Sequence, residues 1–264
     1  MNHLPNAEPL LLRDDRDGIV TLTLNRPKAF NTLSRALMTD LQAALDAIAE
    51  DLAARVVVIA GNGPAFCAGH DLREMRADPG REAQQALFDQ CSRLMLTLTR
   101  MPQPVIARVH GPAAAAGCQL VATCDLAVAS EAAKFGTPGV KLGLFCSTPM
   151  VALTRAVGRK EAMRLLVTGD IVDAGTACAI GLVNEVVAPE ALDDAVAALA
   201  GKIVAHSGTV VAIGKTAFYR QMELGLEEAY AYASGVMVEN MMKQDAAEGI
   251  DAFLEKRPPM WRNG

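Results

Sequence analysis

The chain has 264 residues, 51% of them hydrophobic and 21% charged, with a net charge of −5. That suits one sizeable globular body with a real core. It argues against general nucleic-acid binding, which wants a basic face. No run approaches 18 apolar residues, so no membrane span is expected. The N-terminal stretch carries Glu8, Asp14, Asp15 and Asp17, the wrong character for a targeting segment, and a cytoplasmic location is the expectation.

In chain order, Leu10 to Arg13 and Ile19 to Leu24 read as strands joined by a turn over Asp14 to Gly18. The second alternates, with Val20, Leu22 and Leu24 on one face. Ser34 can cap a helix whose Leu37, Leu41, Leu45 and Ile48 form one stripe. A strand at 55–60, a helix near 82–100, a strand at 104–109, a helix from about 116 and a strand at 126–129 follow. After about 145, helical patterns dominate: 147–158, 160–168, 173–180, 189–205, 208–222, 225–242 and 244–255. Val183 to Val187 is the one late strand. Strands alternating with helices predict α/β architecture. Met222, Met237, Met241 and Met242, at helical spacing, read as core or subunit contact.

Six cysteines (Cys67, Cys91, Cys118, Cys124, Cys146 and Cys178) have no paired spacing and read as small buried hydrophobes. Cys67-x-x-His70 has no second pair beside it, so no metal site is expected. Gly61-Asn-Gly63 lacks the third glycine of a dinucleotide loop, since Phe66 stands there. Of four histidines (His3, His70, His110, His206), only His70 and His110 fall in special loops.

Those loops are Ala65-Phe-Cys-Ala-Gly-His-Asp-Leu72 and His110-Gly-Pro-Ala-Ala-Ala-Ala-Gly-Cys-Gln-Leu120. Each follows a β-branched run. Small residues let a ligand approach the backbone and leave N–H groups free to point at it. Two such loops side by side can hold one oxyanion between two donors. Arg26 and Lys28 stand at a strand exit and read as a solvated turn or a basic clamp for phosphates. Lys256 and Arg257 form a second such candidate.

Five pieces together resemble the enoyl-CoA hydratase/isomerase (crotonase) family: Leu24-Asn-Arg-Pro-Lys28, Phe66-Cys-Ala-Gly-His-Asp-Leu72, the 110–125 loop and helix, Phe135-Gly-Thr-Pro138 and Ala252-Phe-Leu-Glu-Lys-Arg257. They run in family order from residue 10 to the end. The 110–156 stretch, with Leu144-Phe-Cys-Ser-Thr-Pro149, is most similar to the sub-group of enoyl-CoA hydratase domain-containing protein 3.

The resemblance implies a crotonase-like (ClpP/crotonase) α/β spiral of ββα units over 1–200. It implies a C-terminal helical trimerisation region over 201–264, and a homotrimer or a hexamer of paired trimers. It implies an acyl-CoA thioester as ligand, with coenzyme A entering as part of the substrate and no permanently bound cofactor. The oxyanion hole falls on the backbone N–H groups of His70 and Ala116. Alanine at 116, where the family prefers glycine, restricts the backbone. Ala68 and Leu72 flank the adenine. Arg26, Lys28 and, from a neighbouring subunit, Phe253 and Lys256 meet the nucleotide end.

The two glutamates that handle water and proton in this family fall on Gln119 and Gly139. Gln119 can orient a water but cannot exchange a proton near neutral pH. Gly139 has no side chain. Each positioned acid or base is worth about 10²–10⁴ in rate, so efficient hydration is not expected. Three readings stay open: enolate chemistry on a CoA thioester, including loss of carboxylate from a malonyl-type thioester; a weak hydratase with Gln119 positioning water; and a non-catalytic acyl-CoA-binding or regulatory protein. His70, Cys146, Ser147 and Thr148 are the polar side chains expected near the acyl end.

Overall fold

A computed structural model describes residues 8–262; His3 lies outside them. The chain opens with a hairpin, β1 (Leu11–Arg16) and β2 (Ile19–Leu24). β1 runs three residues beyond the sequence expectation, because the turn is only Asp17–Gly18. Both residues have positive φ, the geometry of a two-residue hairpin loop.

A short 3-10 turn at Pro27–Ala29 leads to α1 (Arg35–Ala49). Ser34 caps α1 by accepting from the Leu37 N–H at 3.2 Å, a contact worth about 1 kcal/mol. There follow β3 (Val56–Gly61), α2 (Leu72–Ala77), α3 (Arg81–Arg100), β4 (Val105–Val109), β5 (Ala113–Ala114), α4 (Ala116–Thr123), β6 (Leu126–Ser130) and β7 (Lys134–Gly136). Then come α5 (Ser147–Ala156), α6 (Arg159–Thr168), β8 (Ile171–Asp173), α7 (Ala174–Ala179), β9 (Glu185–Val187) and α8 (Leu192–Val204). The chain closes with α9 (Gly208–Gln221), α10 (Leu226–Met241) and α11 (Gln244–Glu255).

The main sheet has the order β1-β2-β3-β4-β6-β9, antiparallel at β1–β2 and parallel elsewhere. β3 is buried along its whole length, as a parallel strand covered on both faces must be. One face packs on α1 and α3 through Leu37, Leu41, Leu45, Leu94 and Leu98. The other packs Val56, Val58, Ile106 and Val128 on Leu192 and Val196 of α8. A second sheet has the order β5-β7-β8, parallel at β5–β7 and antiparallel at β7–β8. Its strands have two or three residues each and leave no periodic signature.

α8 runs on through residue 200, where the sequence divides core from helical region. α9 is moored by Lys215. Its Nζ donates to the carbonyls of Leu98 (2.7 Å) and Gln103 (2.8 Å) and to Asp125 (2.7 Å). Tyr219 Oη donates to the other Asp125 oxygen at 2.8 Å. α10, in contrast, buries no residue. Met222, Met237, Met241 and Met242 are all exposed, so core is not their role in this chain. No single helix among the described residues is long and apolar enough to cross a membrane.

Candidate active site

Main-chain pairing joins the two small-residue loops. Cys67 bridges Ala113; the Cys67 N–H donates to the Pro112 carbonyl (3.2 Å) and the Ala114 N–H to the Cys67 carbonyl (2.9 Å). Gly117 makes this approach possible, since a Cβ there would stand 2.0 Å from the Cys67 carbonyl oxygen. Gly69 backs directly onto Ala115 and Ala116: a Cβ on it would lie 3.3 Å from the Ala116 nitrogen. His70, the next residue, bridges Leu33. Neither the His70 N–H nor the Ala116 N–H donates to any protein acceptor among the described residues. Ala116 is the first residue of α4, where amides have no intrahelical partner and carry the positive end of the helix dipole.

Ala116 itself takes ordinary helical geometry. The restriction expected there falls one residue earlier, on Ala115, with φ 50° and ψ −117°. Ala115 makes the corner between β5 and α4, and its N–H donates to the Gly136 carbonyl at 2.9 Å. That bond, with the β5–β7 pairing, brings Phe135–Gly139 alongside.

Gln119 is buried on α4, and its Oε1 has no partner. The Thr137 Oγ1 is likewise buried and unpaired. Gly139 is buried in a 3-10 turn over Pro138–Leu142. A Cβ on it would stand 2.5 Å from the Leu144 carbonyl oxygen and 2.7 Å from the Cys146 Sγ. Burial raises the Cys146 thiol pKa, so that group stays protonated. Ser147 is exposed, with its hydroxyl 3.4 Å from the Phe145 carbonyl.

The two loop histidines differ. His110 Nε2 lies 2.8 Å from the Gly63 carbonyl, a fixture that also pins the Gly61–Gly63 loop. His70 packs its ring edge-on against Phe88, centroids 5.5 Å apart, and both its ring nitrogens are buried without a partner. Burial lowers its pKa; the Leu33 main chain facing the ring and the Glu74 carboxylate pull the other way.

The basic turn divides in two. Arg26 donates to the Thr32 carbonyl (2.7 Å) and to Asp71 (3.0 Å), so its charge is met within the chain. Burial works to raise the Asp71 pKa, but Arg26 and the amides of α2 outweigh it and hold it below the usual carboxylate range. Lys28 is exposed and forms no ion pair among the described residues. Ala68 and Leu72 are exposed beside this turn, and the Ala68 N–H donates to the Phe30 carbonyl at 3.0 Å. Phe253 and Lys256 are not brought to these loops by their own chain. Phe253 projects from α11, 82% exposed, and Lys256 ends that helix with φ 56°. A cavity of about 750 Å³ lies between α9 and α10, and none of the candidate residues lines it.

The sequence missed the Asp125–Lys215–Tyr219 network. Its partners are 90 and 94 residues apart, and no local pattern joins them.

The enoyl-CoA hydratase/isomerase family model matches residues 14–264. The chain belongs to the enoyl-CoA hydratase/isomerase family. Enoyl-CoA hydratase domain-containing protein 3, mitochondrial, of Rattus norvegicus is 45% identical over 260 residues, 97% of this chain and 86% of the relative. The Homo sapiens protein of that name is 47% identical over 247 residues, 93% and 81%. Among solved structures, an enoyl-CoA hydratase of Mycobacterium smegmatis is 58% identical with a TM-score of 0.95, covering 96% of this chain and 99% of that one. These matches establish the crotonase-like α/β fold and the sub-group likeness. They also correct one expectation. A cytoplasmic location does not stand beside sub-group relatives that are named mitochondrial.

Proposed function

We propose that this member of the enoyl-CoA hydratase/isomerase family binds an acyl-CoA thioester and stabilises the enolate of its acyl group on the N–H groups of His70 and Ala116. One observation carries the reading: two unpaired main-chain donors flank the Gly69–Ala116 contact, while Gln119 and Gly139 supply no acid. A preorganised donor of this kind is worth about 10²–10³ in rate. Binding alone does not need it, which favours an enzyme over a passive carrier. Loss of carboxylate from a malonyl-type thioester and exchange of an α-proton both pass through such an enolate. Rapid hydration needs the two acids and is not proposed.

Ala68 and Leu72 flank the adenine in this reading, and Lys28 meets the phosphates. Arg26 shapes the turn that carries Lys28. The exposed apolar side chains of α9–α11, Phe218, Tyr230, Met237 and Phe253 among them, suit burial by further copies in a trimer or paired trimers. There Phe253 and Lys256 would reach a neighbour's nucleotide end.

Calorimetry with crotonyl-, butyryl- and malonyl-CoA tests the ligand, and mass spectrometry of the same mixtures tests the reaction. Binding with slow or no hydration is the expected result. Absence of binding to all three would overturn the proposal, and turnover matching an ordinary hydratase would overturn the account of the missing acids.

A further inference from the structure

We propose that the chain carries a second ligand site, for a small phosphate with an O–H, at the far edge of the main sheet. The loops of the candidate active site follow the C-terminal ends of β3 and β4. Arg55 and Gln103 stand just before the N-terminal ends of these parallel strands. The six residues of β3 set the two edges about 20 Å apart. The proposal does not rest on the thioester reading.

A cavity of about 270 Å³ lies at that edge, with Asp51, Arg55, Gln103, Thr209, Ile213 and Lys243 in its wall. Three separate elements bring positive charge to it. The Arg55 guanidinium rests against the first residue of α9, since a Cβ on Gly208 would stand 2.5 Å from its Nε. One Arg55 nitrogen donates to the His206 carbonyl, while the Nε is buried with no partner. Lys243 stands between α10 and α11. Neither cation forms an ion pair among the described residues. The start of α9 is the third source. Ser207 meets the Val210 N–H with its Oγ (3.3 Å) and the Val211 N–H with its carbonyl (3.0 Å). The Thr209 N–H donates to no acceptor among the described residues. Such an amide, at the positive end of a helix dipole, suits an anion.

The nearby carboxylates are engaged elsewhere. Asp51 accepts from the Ala53 N–H at 2.9 Å, and its other oxygen lies 3.9 Å from Arg13. Asp245 accepts from the Ser207 hydroxyl and from the Arg262 N–H.

Gln103 is an independent sign of a ligand, and it narrows the chemistry. The residue is 6% exposed and held at both ends. Its carbonyl accepts from Lys215, and its Nε2 donates to the carbonyls of Ile48 (2.8 Å) and Asp51 (3.3 Å). Its Oε1 is buried without a partner. Folded proteins leave few such atoms unmet, and each calls for a partner from outside the chain. An unmet acceptor beside two unpaired cations fits an anion that also donates. Hydrogen phosphate keeps an O–H at neutral pH, and a short hydroxylated phosphate monoester brings one on its carbon chain. Sulfate has none.

The test titrates the full chain with inorganic phosphate, glycerol phosphate and sulfate by calorimetry at neutral pH. Saturable binding of a phosphate is expected, at least about tenfold tighter than sulfate. The tighter of the two phosphates identifies the source, free ion or ester. Lys243→Met breaks no internal side-chain bond, so it should keep its Tm and lose about tenfold in phosphate affinity. Arg55→Met should lose at least as much. Lys28→Ala, at the other edge of the sheet, should bind phosphate as wild type does. Absence of saturable binding to either phosphate would overturn the proposal. So would equal affinity for sulfate, undiminished affinity in Lys243→Met, or an equal loss in Lys28→Ala.

Discussion

The Cys146 Sγ lies 2.7 Å from the point where a Cβ on Gly139 would sit, and the Leu144 carbonyl oxygen lies 2.5 Å from it. Sulfur and main chain together fill the place from which a second acid would project. Gly139→Glu is therefore expected to destabilise the fold by about 1–3 kcal/mol, the usual range for overpacking. In crotonyl-CoA hydration assays, Gln119→Glu with Gly139→Glu should be no faster than Gln119→Glu alone. A clear gain from the second change would show that the 143–146 loop yields.

Arg26 and Lys28 stand two residues apart but should answer differently to removal of charge. Arg26→Ala breaks the bonds to Thr32 and Asp71. It should lower Tm as well as weaken CoA binding. Lys28→Ala touches no internal partner, so calorimetry should show weaker binding at unchanged Tm. Equal thermal losses in both would reject the division.

Ala115 holds a backbone conformation that costs a residue with a Cβ about 1–3 kcal/mol. Glycine relieves this and gives back part of the gain as unfolded-state entropy. Ala115→Gly is expected to raise stability by about 1 kcal/mol, or about 2–4 °C in Tm. A fall in Tm would show that the Ala115 methyl packs more favourably than its backbone is strained.

At the C-terminus, hydrogen bonds from Arg257 and the Met260 N–H hold the Glu248 carboxyl down to about 2. A carboxyl with a depressed folded pKa supports docking above its ordinary value near 4.5. That support is lost as pH falls from there toward 2. The chain has one tryptophan, Trp261, whose Nε1 donates to the Ala205 carbonyl at 2.8 Å. Acid titration should therefore change its fluorescence between pH 4.5 and 2. In Glu248→Gln the tail should be loose already at neutral pH and that acid step absent.

Local chemistry made part of this legible. The Ser34 cap, the α1 stripe and the alternation of β2 are written in neighbouring residues, and each appears where the pattern puts it. The two small-residue loops were legible too, because small side chains mark close approach. β5, β7 and β8 were not, since two or three residues carry no period and their pairing is set by the layers around them. In the candidate site, the pairing of Arg26 with Asp71 spans 45 residues, and the sequence read that arginine as part of a solvated turn or a basic clamp. The collision at Gly139 depends on Leu144 and Cys146 folding back, which no spacing announces.

Asp125 stands two residues after the end of α4, the helix whose first amide belongs to the candidate site, and it is gripped from α9 by Lys215 and Tyr219. The grip arrives late in synthesis. A nascent chain cut before residue 215 has every strand of both sheets, yet leaves the Asp125 carboxylate and the Leu98 and Gln103 carbonyls without their cation. A fragment that already holds every candidate residue from Arg26 to Gly139 thus lacks the α9 contacts that tie down the end of α4.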